Sequence, residues 1–323
     1  MSNALSGSPL VKPLTKERIL RAAADMGYRP NSSARAMRNR RFGAVALVLS
    51  TERTRSHLQN GLLDGIHSAL GERDVHLTVA SLPDDKLTAE GFVPKILRDL
   101  AVDGLLINYT DHIPRGMIYL IEKNQIPSIW LNTRRAGDCV HIDDLASSRA
   151  ATDKLIELGH RRIAYVDYHN GMADPAPHYS VCDRRAGYEE AMARAQLTPR
   201  IISEPQTIPP EQRVAHAMGW LCDANRPTAI VTYSPYTAVP VVMAALKCDV
   251  DVPESLSVLT FAEQSFDNMG LPLGRCVLPQ REMGSAGCHA LFDKIDNPQK
   301  VQPPISLSTR FEWGGTVSKP PSD

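Results

Sequence analysis

The residues in this chain best placed to do chemistry are basic and lie near its front. Residues 31–41 read NSSARAMRNRR, four arginines (Arg35, Arg38, Arg40 and Arg41) around one methionine, Met37. Guanidinium groups at that density neutralise phosphates, and such binding weakens steeply as salt rises. Over residues 1–42, nine Lys/Arg oppose Glu17 and Asp25, a charge of +7. The remainder carries −7, so the net charge of zero hides an asymmetry. A cationic arm on an anionic body is the distribution expected when one end meets a polyanion, although a solvated basic tail has the same composition.

Catalytic constellations are absent from the 323 residues. There is no G-x-G-x-x-G, P-loop, G-x-S-x-G or H-E-x-x-H, which argues against an enzyme. Asp143–Asp144, within VHIDDLASS, suits a strand end followed by a helix cap better than acid/base work, and His160 in ELGHRR reads as structural. The six cysteines show no CxxC pair and no Cys/His cluster, so reduced cytosolic thiols are expected, with no disulfide framework and no zinc. Cys222, Cys248 and Cys288 lie among apolar residues and read as small buried hydrophobes. No cofactor or metal is implied, and no apolar run approaches the ~20 residues of a membrane span.

The elements that must position these residues follow from periodicity. Thr15 is a candidate N-cap for a helix with Glu17 in its first turn, Ile19, Ala22, Ala23 and Met26 at core spacing and Gly27 at C′. Arg29 before Pro30 breaks the chain. Asn31 then caps a segment, Ser32–Arg40, too short to be a stable helix in water, so it orders only against a partner. From Gly43 onward strands and helices alternate. Strands are expected at 43–50, 75–80, 102–107, 126–131, 162–166, 228–232 and 255–261. Helices are expected over 58–70, 87–100, 113–124, 144–158, 183–196, 210–223, 237–246 and 281–295. Two such series predict two doubly wound parallel-sheet lobes, with a ligand crevice beyond the strand ends.

Several segments, in order, resemble the lactose-repressor (LacI/GalR) family of bacterial transcription regulators. They are GYRPN at 27–31, IPSIWLNTRR at 126–135, HIDD at 141–144, ELGHRRIAYV at 157–166, RRAGYEEAM at 184–192, RPTAIVT at 226–232, VPESLSVLTF at 252–261 and VLPQREMG at 277–284. The resemblance implies an α/β, periplasmic-binding-protein-like core behind a partial helix-turn-helix headpiece (1–30) and a hinge helix or linker (31–42). The core would comprise an N-terminal lobe (43–159 plus 278–304) and a C-terminal lobe (160–277 plus 305–317), followed by a tail (318–323). Met37 would then be an apolar wedge in the minor groove, with Asn31 at the hinge start and Lys12 and Thr15 near phosphates. Only Ser2, Asn3 and Ser6 would remain of the base-reading surface, because the chain begins inside the second helix of the motif. Met1 falls where the family commonly has Val, so the expected start lies ~20 codons upstream, enough for a first helix and turn.

For the effector the resemblance singles out Arg184, whose fork can hold hydroxyls or a carboxylate. Asn132 stands where the family often has an acid, Ser234–Pro235 where it has Asn-Asp, and Ala262–Glu263 where it has an Asp pair. Those changes point away from a typical sugar and towards a less hydroxylated or anionic ligand, a sugar acid or another small metabolite. Asp167, His169 and Glu263 are possible substitutes. His57, Trp130, Tyr165 and Tyr233 either line the crevice or fill the core. The expected protein is a cytoplasmic, homodimeric repressor that binds a near-palindromic operator and touches no membrane. The alternatives are a headless small-molecule sensor and a solute-binding protein of the same fold.

Overall fold

The computed structural model describes residues 10–27, 41–52, 55–82, 102–110, 113–168, 177–204, 206–264, 270 and 272–321. The hinge positions Asn31, Arg35, Met37, Arg38 and Arg40, the headpiece positions Ser2, Asn3 and Ser6, residue His169 and the helix expected over 87–100 lie outside them.

The first element is α1 (Pro13–Asp25). It starts two residues before the expected cap: Lys12 is its N-cap, Pro13 fills the first helical position, and Thr15 lies inside the helix. Proline at N1 lacks only an N–H that would have no helical partner, so it sets the start. Gly27 stands past the C-terminus at φ +62°, as expected.

The first sheet has the order β11-β5-β4-β3-β1-β2. Its strands are β1 (Ala44–Ser50), β2 (His76–Leu82), β3 (Gly104–Ile107), β4 (Ser128–Leu131), β5 (Cys139–Ile142) and β11 (Ile305–Leu307), all paired in parallel. Among the described residues three helices belong with it: α2 (Asn60–Gly71), α3 (Arg115–Lys123) and α8 (Gln280–Asp296). The α2–α8 seam is closed by two glycines. A Cβ on Gly284 would lie 2.3 Å from the Leu62 carbonyl, and one on Gly65 2.0 Å from the Arg281 carbonyl.

The second sheet has the order β12-β10-β9-β8-β6-β7. It consists of β6 (Ile163–Val166), β7 (Arg200–Ile202), β8 (Ala229–Thr232), β9 (Ser257–Ala262), β10 (Gly274–Val277) and the antiparallel β12 (Arg310–Glu312). Its helices are α4 (Asp144–Glu157), α5 (Tyr179–Arg194), α6 (Pro210–Leu221) and α7 (Pro235–Lys247). Both sheets carry buried apolar clusters on both faces, which is why their strands read as continuous hydrophobic runs.

The chain crosses between lobes at strand ends, after β5, after β10 and between β11 and β12. Two of these crossings differ from the expected boundaries. α4 packs on α5, where Gly187 meets the Leu145 carbonyl and Ser148 Oγ donates to the Arg184 carbonyl, so the first crossing falls at Asp143 and not after 159. Ile305–Leu307 pairs with β5, so the last crossing falls after 307 and not at 304. A helix reads the same whichever sheet it covers, and three-residue strands carry too little periodicity to be seen.

Cys222 and Cys248 are also not reduced hydrophobes. They are the C-cap residues of α6 and α7, joined as a disulfide with Cα atoms 5.8 Å apart. A spacing of 26 residues gave no hint of it. Cys288 is buried, as expected.

His160, at the foot of the second lobe, ties the C-terminal segment down. Its ring is 2.9 Å from Thr228 Oγ1 on one side and 2.9 Å from the Ser318 carbonyl on the other. Burial pushes its pKa below the ordinary 6.5, against a smaller opposing effect of the Ser318 carbonyl. The folded state thus binds a proton less readily than the unfolded chain, and stability falls as pH drops below the unfolded value. Thermal unfolding of the wild type should therefore lose ground between about pH 7.5 and about pH 5.5. His160→Ala should cost about 1–3 kcal/mol at the higher pH, because it strands the Thr228 and Ser318 partners, and should show less of the pH-dependent loss.

Candidate effector crevice

The strand ends of the two lobes face each other across a set of polar side chains. On the second lobe, Asp143 caps α4 by accepting from the Ala146 N–H at 3.0 Å, which leaves Asp144 as the first helical residue, fully buried. Its Oδ1 accepts from Arg184 Nε of α5 at 2.7 Å. Arg184 Nη1 donates to the Tyr233 carbonyl beyond β8 at 2.8 Å. The guanidinium lies 4.7 Å from the Tyr233 ring and 4.3 Å from the Phe261 ring. Burial opposes its charge, but Asp144, by charge and by hydrogen bond, and the Tyr233 and Tyr165 side chains favour it, and its pKa is raised on balance. The expected Arg184 fork is thus already held by the protein.

Around this pair sit polar atoms with no hydrogen-bond partner among the described residues: Asp144 Oδ2, Tyr165 Oη and Ser234 Oγ. Burial raises the pKa of both Tyr165 and Tyr233, so each is a neutral phenol. The Tyr233 hydroxyl lies 2.8 Å from Ser180 Oγ. Asp167, just past β6, is buried beside them, and its N–H donates to the Ile202 carbonyl at 3.1 Å.

The first lobe contributes Asn132, at the end of β4 with φ +53°. Its carbonyl lies 2.8 Å from His178 Nε2, and its Oδ1 accepts from the Tyr179 hydroxyl at 3.3 Å. The same hydroxyl accepts from the Ile142 N–H at 3.0 Å, and Arg134 Nη1 pairs with Asp183 at 2.6 Å. The first turn of α5 is therefore stitched to the first lobe. Glu263, past β9, reaches the other way, accepting from the Gly61 N–H of α2 at 2.6 Å. Burial, the main influence, raises its pKa above the ordinary 4.5 despite that bond. It borders a cavity of about 380 Å³ at the crossings, lined also by Leu278, Pro279, Ser308 and Arg310.

One of the expected lining residues stands apart. Trp130 is core: alternation along β4 turns Ile129 and Leu131 towards α8 and Trp130 towards α3, under the Arg135 guanidinium at 4.5 Å. His57 is exposed, and its carbonyl accepts from Asn108 Nδ2 at 3.1 Å. Asn132, Asp167, Arg184, Tyr233 and Ser234 are brought together, with Glu263 at the cavity edge. Sequence reasoning missed Asp144, taken for the cap in place of Asp143, and the group His178, Tyr179 and Ser180. α5 begins four residues before its expected start, and His178 is an unusual N-cap, its ring accepting from the Ser180 N–H.

Outside the crevice, Lys12 and Thr15 are exposed on α1, and Arg41 pairs with Asp296 at the end of α8 at 2.5 Å. Among the described residues no helix is long and apolar enough to cross a membrane.

A model of the periplasmic binding protein-like domain family matches residues 152–317. The chain belongs to that family. It is 30% identical over 213 residues to the HTH-type transcriptional regulator CelR of Thermobifida fusca, a match spanning 61% of this chain and 58% of that one. It is similar in fold, over 98% of its own length and 94% of theirs, to two solved structures. One is a CelR–cellobiose complex, with TM-score 0.67 and 23% identity. The other is the lac repressor dimer bound to operator and the anti-inducer ONPF, with TM-score 0.75 and 17% identity.

Breaking the Arg184–Asp144 pair should be severe. Arg184→Ala leaves Asp144 buried without its cation, and should cost about 3–5 kcal/mol in chemical denaturation. Arg184→Lys keeps the charge but not the fork and should fall between that variant and the wild type.

Proposed function

We propose that this chain is a cytoplasmic, homodimeric, DNA-binding transcription regulator, a repressor rather than an enzyme, whose operator affinity is set by a neutral, hydroxyl-bearing effector held between its two lobes. The observation that carries the effector class is the state of Arg184. Its charge is already balanced by Asp144, while Asp144 Oδ2 and the Tyr165 and Ser234 hydroxyls are buried without partners among the described residues. Buried polar atoms are normally hydrogen-bonded, so their grouping favours a ligand that supplies hydroxyls. A carboxylate would gain little here, since Arg184, the buried cation of this group among the described residues, is already neutralised by Asp144. This reading turns away from the anionic ligand that the family substitutions alone suggested. The cellobiose in the CelR complex is a ligand of the proposed kind.

The DNA-binding half of the proposal rests on the basic front and on the likeness to regulators, one of them solved on its operator. Effector filling the crevice changes the angle between the lobes, and with it the spacing of the two hinge segments of a dimer. The operator is then near-palindromic.

Two measurements test this. In fluorescence anisotropy with a duplex from its own upstream region, affinity should fall at least about a hundredfold between about 50 and about 200 mM salt. Replacing Arg38 and Arg40 by Ala should flatten the log–log salt slope by about 2. In a thermal-shift screen, neutral mono- or disaccharides should raise Tm while sugar acids should not. A shift confined to acids would overturn the effector class, and the absence of salt-sensitive DNA binding would overturn the regulator.

A further inference from the structure

Glu263 belongs to the second lobe, one residue past the end of β9, yet its carboxylate hydrogen-bonds to the first. Its Oε1 accepts from the Gly61 N–H, the second residue of α2, at 2.6 Å. α2 has no side-chain cap of its own behind Gln59 and no acidic residue in its first turn. First-turn N–H groups have no partners within the helix, and the helix start carries partial positive charge. Glu263 therefore does for α2 what a capping residue does, but from across the crevice.

Gly61 is what allows the approach. A Cβ at that position would stand 1.9 Å from Glu263 Oε1, so any other residue there must evict the carboxylate. The contact also lies at the wall of the 380 Å³ cavity formed with Leu278, Pro279 and Ser308, beside two of the segments by which the chain passes between lobes. A bond placed there is made or lost as the lobes turn. Beside the first crossing, one residue before Asp143, the Ile142 N–H donates to the Tyr179 hydroxyl, a tie between the lobes made by other residues than Glu263 and Gly61.

We infer that Glu263 is an inter-lobe latch, a helix cap supplied to α2 by the opposite lobe that holds the crevice closed when no effector is bound and has to be released for the lobes to part. The inference rests on the crevice being the effector-controlled joint of the preceding section. It adds a specific cost to opening: α2 keeps its cap only while the lobes are together.

Amide hydrogen exchange on the ligand-free full-length chain tests it, with the Gly61 and Ile142 amides read separately. In Glu263→Ala the Gly61 amide should exchange about tenfold faster or more, and the Ile142 amide should also speed up, because the lobes separate more often. Glu263→Gln keeps an acceptor oxygen and should retain much of the protection at both amides. Gly61→Ala, with Glu263 intact, should reproduce the loss at Ile142. Unchanged Gly61 exchange in Glu263→Ala would overturn the cap, and a change at Gly61 with none at Ile142 would reduce it to a local contact and overturn the latch. If neutral sugars still raise Tm while Ile142 is unmoved, the latch alone fails. If no ligand raises the wild-type Tm, the crevice reading fails instead.

Discussion

The buried pair between Arg184 and Asp144 is the constraint on which the ligand-facing side of this protein depends. Asp144 is the first residue the chain places on the second lobe after leaving β5, Arg184 projects from α5, and the same guanidinium takes the carbonyl of Tyr233 at the end of β8. One side chain thus fixes three separate pieces of chain at the mouth of the crevice. A buried ion pair of this kind gains little over an apolar substitute, since desolvation offsets most of the attraction. Its value lies in geometry. It leaves the second oxygen of Asp144 buried, like the Tyr165 and Ser234 hydroxyls, without a partner among the described residues, and it balances the charge of the guanidinium.

This arrangement also explains where sequence reasoning succeeded and where it stopped. The buried strands β1, β3, β4, β6, β8 and β9 announced themselves as apolar runs, and helices α4, α6, α7 and α8 by length and spacing. From these the two lobes follow. β5, β7, β10, β11 and β12 are three or four residues long, and nothing local distinguishes them from loops. Yet two of them, β5 and β11, carry the chain to the crossings whose positions differ from those expected, so these boundaries were misplaced at the elements hardest to see. The site was legible to the extent that family resemblance singled out Arg184, Asn132 and the residues after β8 and β9. What it could not supply was pairing. Asp143 and Asp144 are adjacent and chemically alike, and only the fold decides that one caps a helix while the other balances an arginine 40 residues away.

The same limit governs Trp130. A tryptophan near a strand end is as good a crevice residue as any, until the register of β4 is known. Neighbours on a strand face opposite sides, so a one-residue difference decides between ligand and core. With Asn132 at φ +53°, the chain leaves the strand immediately afterwards, and the polar side chain reaches the crevice because the backbone turns there.

How the crevice communicates with the basic front is a matter of which parts of the first lobe move together. α2 and α8 are in backbone contact through Gly65 and Gly284, too close for either helix to slide without the other. α8 begins at Gln280, directly after a crossing, and at 1.5 Å per residue it runs about 25 Å to its other end. There Asp296 holds Arg41, and Asp103 accepts from the N–H groups of Phe42 and Gly43, so the last residues of the basic segment are bound to the far end of that rod. On the proposed function, a rotation at the crossing would reach residues 41–43 through a packed body and not through a chain of side-chain adjustments. The first lobe needs no internal rearrangement to transmit it, because the seam that makes α2 and α8 one piece also joins the crevice wall to the base of the cationic arm.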